Sequence, residues 1–476
     1  MIFYQFDNLS LSFFYNNFSG CWHKPCNGMY KDILNKILLY MDIKIKQHWG
    51  LLLLVFVTLV YITIFFLLNP VKKKSVVEIY FADRMTVAHK MLIEKYNRLN
   101  EGKVKIIPID FPNYDFSTNE RKEMLARSLR GRGDGIDLFA VDLVWVQRFA
   151  KWCEPLDKYF TNEEKARILP AALESCYYEG EMVAAPLDLV QGMMYYREDI
   201  VKRLPDADKV IKEIENNITW EDFVKLKDKF SSEYPYYIFP AADNEGVICT
   251  FMELLLSLRR DYFREEGFNL NTPEAEKALQ LLVDMVHKYN ATPSAVTEFT
   301  EIPSYEYYIK KNGVFIHGWN SYDKDFKESP FDSQKEIYLR KAPVPHFASG
   351  RPTSIFGGWN LMVSRFTNKK KEVIDFIKFL LKDDSQEIFY CQSGYYPVTN
   401  NFYNSPAYLK KYPETKNFKD YMKSGVLRPA HTEYTKYSKI MSFYFRKAIE
   451  NKMSVKQALS ECTNAIQKDL VMIKEF

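Results

Sequence analysis

A chain of 476 residues is longer than a single hydrophobic core usually serves, so two lobes or domains are expected. Apolar residues make up 47% and charged residues 26%, which excludes wholesale disorder. The net charge of +4, with acids and bases interspersed, offers no basic face for nucleic acid.

The aromatic fraction is high at 16%, so some rings are available to line a site after the core is filled. Seven cysteines are too few for a disulfide scaffold. Cys153 and Cys176 could close a small loop, or both could be buried thiols. Cys21, His23 and Cys26 lie in CWHKPC, but no second ligand pair follows at usable spacing, so no metal site is expected. No cofactor is expected either.

In chain order, residues 1–48 form a leader without clear pattern. Met41 opens MDIKIKQHWG directly before an apolar run, and the true start is expected near Met41 (or Met29). The run LLLLVFVTLVYITIFFLL over 51–68 has no charge, Gly or Pro, and spans about 27 Å as a helix, enough for a bilayer core. It ends LLNPVKKK, without a small-residue cleavage site or a lipid-accepting Cys. Residues 49–70 are therefore read as a transmembrane anchor or uncleaved signal. Lys44 and Lys46 before the run and Lys72, Lys73 and Lys74 after it leave its orientation undecided.

VVEIYFA, KVKIIPIDF and IDLFAVD read as strands, separated by the amphipathic stretches MTVAHKMLIEKYNRLNEGK and ERKEMLARSLRGRGDG. That alternation predicts a parallel α/β sheet with right-handed crossovers. WVQRFAKWCEPLDKYF reads as helix turning at Glu154-Pro155, and TWEDFVKLKDKF as helix capped by Thr219. NTPEAEKALQLLVDMVHKY is the clearest helix, with Asn271 or Thr272 as cap and Pro273 in the first turn. NGVFIHGW and FGGWNLMVS read as strands, EVIDFIKFLLK and SVKQALSECTNAIQKDL as helices. No repeat or linker interrupts the body, so the chain is expected to cross between lobes more than once.

Several segments together carry a resemblance: GDGIDLFAVD, APLDLVQGMMYYREDI, ITWEDFVKL, LNTPEAEKALQLLVDM, NGVFIHGWNSY, the long FGGWNLMVSRFTNKKKEVIDFIKFLLKDDSQEIFYCQSGYYPV, VLRPAHTEY and SVKQALSECTNAI. In this order, over about 76–470, they resemble the family 1 extracellular solute-binding proteins, which include maltose- and trehalose-binding proteins. The resemblance implies an α/β, two-lobe periplasmic-binding-protein fold with an interlobe cleft, preceded here by the N-terminal transmembrane helix. Lobe one would hold 75–188 and 354–402, and lobe two 189–353 and 403–476. The chain would capture an oligosaccharide outside the cytoplasm for the permease subunits of a bacterial ABC importer. A membrane-anchored glycan sensor or surface carbohydrate-binding subunit is the alternative.

A sugar offers apolar faces to aromatic rings and hydroxyls to carboxylates, Arg and amides. Trp359 is the first stacking candidate. Gly358 before it either lets the backbone approach ligand or serves a turn. Trp319 in HGWN and Asp142 at the end of its strand match family positions that contact sugar. Asp83 in FADR ends a strand in the same way, or caps a turn. Arg428 in LRPA matches a family Arg-Pro that reaches ligand, or forms an ion pair. Of Tyr195 and Tyr196, one would contact ligand while the other packs. Many relatives carry an acid where Val190 stands, followed here by Gln191. The acid contact has either moved to Asp188 or been lost. His317 is unassigned.

An enzyme is not expected: G-x-S-x-G, HExxH and G-x-x-x-x-G-K-[ST] are all absent. GRGDG at 131–135 precedes a strand, whereas a phosphate loop follows one.

Overall fold

The computed structural model describes residues 29–68, 75–111, 118–132, 135–325 and 335–470. The chain divides into two units, one ending at Lys74 and one running from Ser75 to Phe476.

The described residues of the first unit form one helix, Met29–Leu68. Its described side chains are exposed, Leu54 and Phe56 among them. The Thr58 and Thr63 hydroxyls donate back to the Leu54 and Leu59 carbonyls, each at 2.7 Å, so neither needs water. The sequence predicts a membrane span over 49–70, but among the described residues no helix is long and apolar enough to cross a membrane. Residues 69–70 and the side chains of Leu52 and residues 66–68 lie outside those described. The continuous described apolar stretch, 53–65, covers only about 20 Å as a helix. The CWHKPC segment also lies outside the described residues.

The second unit has its own core. Its buried apolar residues begin at Ile79, and none of the described side chains of 29–68 is among them. Three strands, β1 (Val77–Asp83), β2 (Val104–Asp110) and β3 (Leu138–Asp142), are parallel, in the order β2-β1-β3. The helix Val87–Leu99 makes the first crossover. The Thr86 hydroxyl accepts from the His89 N–H at its start, and Ala88, Leu92, Ile93 and Tyr96 bury one face. The helix Thr118–Arg130 makes the second. A small hairpin follows, β4 (Tyr177–Tyr178) and β5 (Glu181–Met182), then β6 (Ala185–Pro186).

The second sheet is built around β7 (Val190–Arg197). β8 (Tyr237–Ile238) runs parallel to β9 (Phe315–Trp319), and β9 is antiparallel to β7. On the other side of β7 lie β10 (Leu339–Ala342) and β11 (Ser354–Gly357). β12 (Trp359–Val363) returns to the first sheet, between β3 and β6, and β13 (Gly425–Leu427) pairs with β11. The two sheets mark the two lobes.

The chain changes sheet three times, the last time between β12 and β13, and the first two changes lie at neighbouring points. Leu187, Asp188 and Leu189 link β6 to β7, and Gly358 alone links β11 to β12. Gly358 has φ +134°, and a Cβ on it would lie 2.5 Å from the Asp188 carbonyl oxygen. Only glycine accepts both the dihedral and the contact. The sequence reading begins the return to lobe one at residue 354. The hydrogen bonding keeps 354–357 in the second sheet and makes the change at Gly358, because β11 pairs with β7 and β13.

Cys153 and Cys176 are buried free thiols, not a disulfide. Each thiol donates to a carbonyl, Phe149 and Ala172 respectively, and burial pushes both thiol pKa values up.

Candidate ligand cleft

The first-lobe wall is a row of strand ends. Asp83 closes β1, Asp142 closes β3, and Trp359 opens the antiparallel β12 directly opposite Asp142. Residues 142 and 359 thus become neighbours through register alone. Asp83 is buried, and its carboxylate meets Arg121 Nη2 at 2.7 Å and His89 Nε2 at 3.1 Å. Burial pushes this carboxyl up, but the His89 hydrogen bond and the charges of His89 and Arg121 outweigh it and hold the pKa below the usual range. The Arg121 guanidinium lies 4.1 Å from the Trp359 ring centroid. Trp145 meets the same ring at 86°, centroids 5.7 Å apart. A sugar that stacks where Arg121 sits must move Arg121.

The second-lobe wall is built on two helices, Glu245–Leu258 and Tyr434–Ile449. Asn244 caps the first, so Glu245 stands at its N-terminus, where the helix dipole favours a carboxylate. Glu245 Oε1 accepts from Arg428 Nη1 at 2.8 Å and the Tyr434 hydroxyl at 2.5 Å, and Oε2 accepts from the Ser438 hydroxyl. Arg428 Nη2 reaches across to Asp142 Oδ1 at 2.6 Å. Burial works against the Arg428 cation, but the Asp142 and Glu245 carboxylates overcome it and hold its pKa well above the ordinary value.

Between the walls lies a cavity of about 280 Å³, lined by Lys122, Glu123 and Arg148 from the first lobe and Glu245, Ser438 and Lys439 among others from the second. That is near the lower end for small-molecule pockets, about 300–1,000 Å³. The charges on it are compensated by protein. Lys122 and Arg148 face Glu123 at 3.7 and 3.4 Å, Lys439 faces Asp243, Lys436 faces Asp469 at 2.5 Å, and Arg428 faces Asp142 and Glu245. Such a wall donates and accepts hydrogen bonds without demanding a charge from its ligand.

Four of the residues singled out from sequence are linked in the two walls: Asp83 to Trp359 through Arg121, Trp359 to Asp142 by register, and Asp142 to Arg428 by an ion pair. The other four lie at the crossing points between the sheets and in the second-sheet strands β7 and β9. Asp188 is buried and accepts from the Trp359 N–H at 3.1 Å, so its carboxylate fixes the crossing point. Gly358 packs against the Asp188 backbone carbonyl. Tyr195 is 1% exposed, stacks on Tyr322 and donates to the Trp319 carbonyl at 2.8 Å, so it packs in the core. Trp319 is half-buried at the end of β9, its ring 3.0 Å from where a Cβ on Gly357 would stand.

Tyr196 is likewise buried, donating to Glu215. His317 is a buried strand histidine, 2.7 Å from Glu253. Gln191 spends its side-chain N–H donors on Ser354 and the Tyr421 carbonyl. Sequence reasoning missed Arg121, Glu245 and Ser438. Only Glu245 left a signal, the acid after an Asn cap in DNEG. Among the described residues no cluster of His, Cys, Asp or Glu could hold a metal ion.

The family model described as bacterial extracellular solute-binding protein matches residues 92–417. A probable ABC transporter-binding protein from Deinococcus radiodurans is 24% identical over 372 residues, covering 75% of this chain and 84% of the relative. Among solved structures, maltose-bound MalE3 of T. maritima superposes with a TM-score of 0.73 at 24% identity, over 83% of this chain and 100% of that one. The GacH receptor of Streptomyces glaucescens, solved unliganded and with acarbose, gives 0.69 at 18% identity, over 83% and 98%. These likenesses establish the two-lobe periplasmic-binding fold. With the family match covering more than half of it, the chain belongs to the bacterial extracellular solute-binding proteins: it works outside the cytoplasm, as a binding protein and not an enzyme.

Proposed function

We propose that this protein captures a neutral oligosaccharide in the interlobe cleft and delivers it to the permease subunits of an ABC importer. The observation that carries this reading is the charge-compensated cavity wall, in which Glu245, Ser438 and the facing lysines offer both donors and acceptors. A polyol uses both kinds of group, whereas an ion would need an uncompensated partner. Relatives support the solute class: one is a maltose-bound protein, another was solved with acarbose, and the Deinococcus relative is named for ABC transport. Asp142, Glu245 and Ser438 are the hydroxyl-binding residues in this reading. Trp359 becomes a stacking ring once Arg121 swings aside to bind hydroxyls.

The helix Met29–Leu68 is the membrane tether in the same proposal, because residues 51–68 carry no charged side chain. Full-length protein should stay in the membrane pellet after an alkaline wash, while a fragment of residues 75–476 should be soluble. A full-length chain released by that wash removes the tether from the proposal.

The fragment, which contains the buried core of the described residues, is also the material for a thermal-shift screen of malto-, cello- and xylo-oligosaccharides and trehalose. A ligand at a hundred times its Kd adds about 2.7 kcal/mol, a readable rise in Tm. Glu245→Gln should reduce the rise. A folded fragment that responds to no carbohydrate would overturn the oligosaccharide reading.

A further inference from the structure

The two halves of the Arg428 contact have different consequences. Arg428 follows β13 in the second lobe, and its side chain is only 2% exposed. Its bond to Glu245, at 2.8 Å, lies within that lobe and survives any movement between lobes. Its bond to Asp142, at 2.6 Å, ends on β3 of the first lobe and exists only while the lobes meet. Both bonds are made wholly by protein atoms, so neither needs a bound solute. Arg428 Nε is buried with no hydrogen-bond partner of its own, which leaves the two terminal nitrogens to hold the guanidinium in place.

We propose that Arg428 is a positioning residue and a latch. It joins the lobes through Asp142 independently of ligand, and by the same fork it fixes the Glu245 carboxylate against the cavity. Closure then docks Asp142 onto a second-lobe wall that the Arg428–Glu245 bond has already assembled. The apparent affinity of a cleft depends on the fraction of molecules already in the binding-competent form, so a latch that raises that fraction tightens binding without touching the solute. The inference concerns the protein before any sugar is added. It stands or falls separately from the oligosaccharide reading.

The test is small-angle X-ray scattering on residues 75–476 without carbohydrate, comparing the wild type with Asp142→Asn and Glu245→Gln. Asp142→Asn removes the charge on the far side of the bridge while leaving the Arg428–Glu245 bond inside its lobe. Its radius of gyration should shift upward. Glu245→Gln removes the near partner but keeps the cross-lobe bond, so its radius should match the wild type. Cooperative melting of each variant shows that the lobes themselves are folded. A wild-type and an Asp142→Asn curve that superimpose, or a Glu245→Gln protein that expands as far as Asp142→Asn, would overturn the latch.

Discussion

The two walls of the cleft are built by different means. The first-lobe wall is held by backbone: Asp83, Asp142 and Trp359 are set by strand ends and register, and a glycine crossing locks the row to its neighbour. The second-lobe wall is held by side chains, with Arg428, Tyr434 and Ser438 converging on the single carboxylate of Glu245. Backbone register is a rigid frame that tolerates little. A carboxylate held by three donors loses them one at a time, which suits the wall that lobe movement reaches.

The largest effect should come from breaking the backbone frame. Gly358→Ala sets a Cβ 2.5 Å from the Asp188 oxygen at a φ that L residues avoid, and should cost about 3 kcal/mol or more in urea unfolding. If the variant unfolds at the wild-type midpoint, the first wall is not held by this crossing. Next, Asp83→Asn removes the charge that anchors Arg121 and His89, and should cost about 2–3 kcal/mol. The freed Arg121 should also leave Trp359, seen as a change in tryptophan fluorescence.

The second wall should yield more gently. Tyr434→Phe deletes one of three donors to Glu245 and should cost about 1.5 kcal/mol by thermal melting, with the fold intact. A loss as large as that of Gly358→Ala would erase the distinction between the walls.

The smallest effect concerns Glu154, remote from the cleft and held to Lys158 and Lys370 at 2.6 Å each. Burial alone would raise its carboxyl, but hydrogen bonds from Lys158, Lys370 and Tyr159 prevail and lower it to about 2. Because the folded pKa is depressed, its contribution is present above the unfolded value near 4.5 and fades as pH falls toward 2. Glu154→Gln should therefore lower stability at pH 7 by about 0.5–1 kcal/mol, since water screens the exposed Lys158. The gap to wild type should close near pH 2. A gap independent of pH would assign the effect to packing.

Legibility in the sequence followed the same division. Asp83 and Asp142 could be named because each ends a β-branched or apolar run, and strand ends face the crevice in open α/β sheets, while Trp359 is marked by the glycines before it. Tyr195 lies in an equally readable strand, but every residue of β7 from Gln191 to Arg197 is buried, so alternation no longer tells cleft from core. Arg121 sits in a charge-rich helix, ERKEM, where nothing marks it and Lys122 as the cations that turn inward. Glu245 and Ser438, 193 positions apart, are joined only by the packing of their helices.

Sequence by itself determined what is local and periodic: the alternating strands and helices of the first sheet, the absence of enzyme motifs, the uncharged run at 51–68, and enough ordered family likeness to expect two lobes. Only the tertiary structure decided which side chains meet. Ion pairs such as Asp142–Arg428 and contacts such as Arg121 on Trp359 depend on how distant segments are brought together in space. A single chain of residues carries no periodic trace of an encounter between positions that lie hundreds of residues apart.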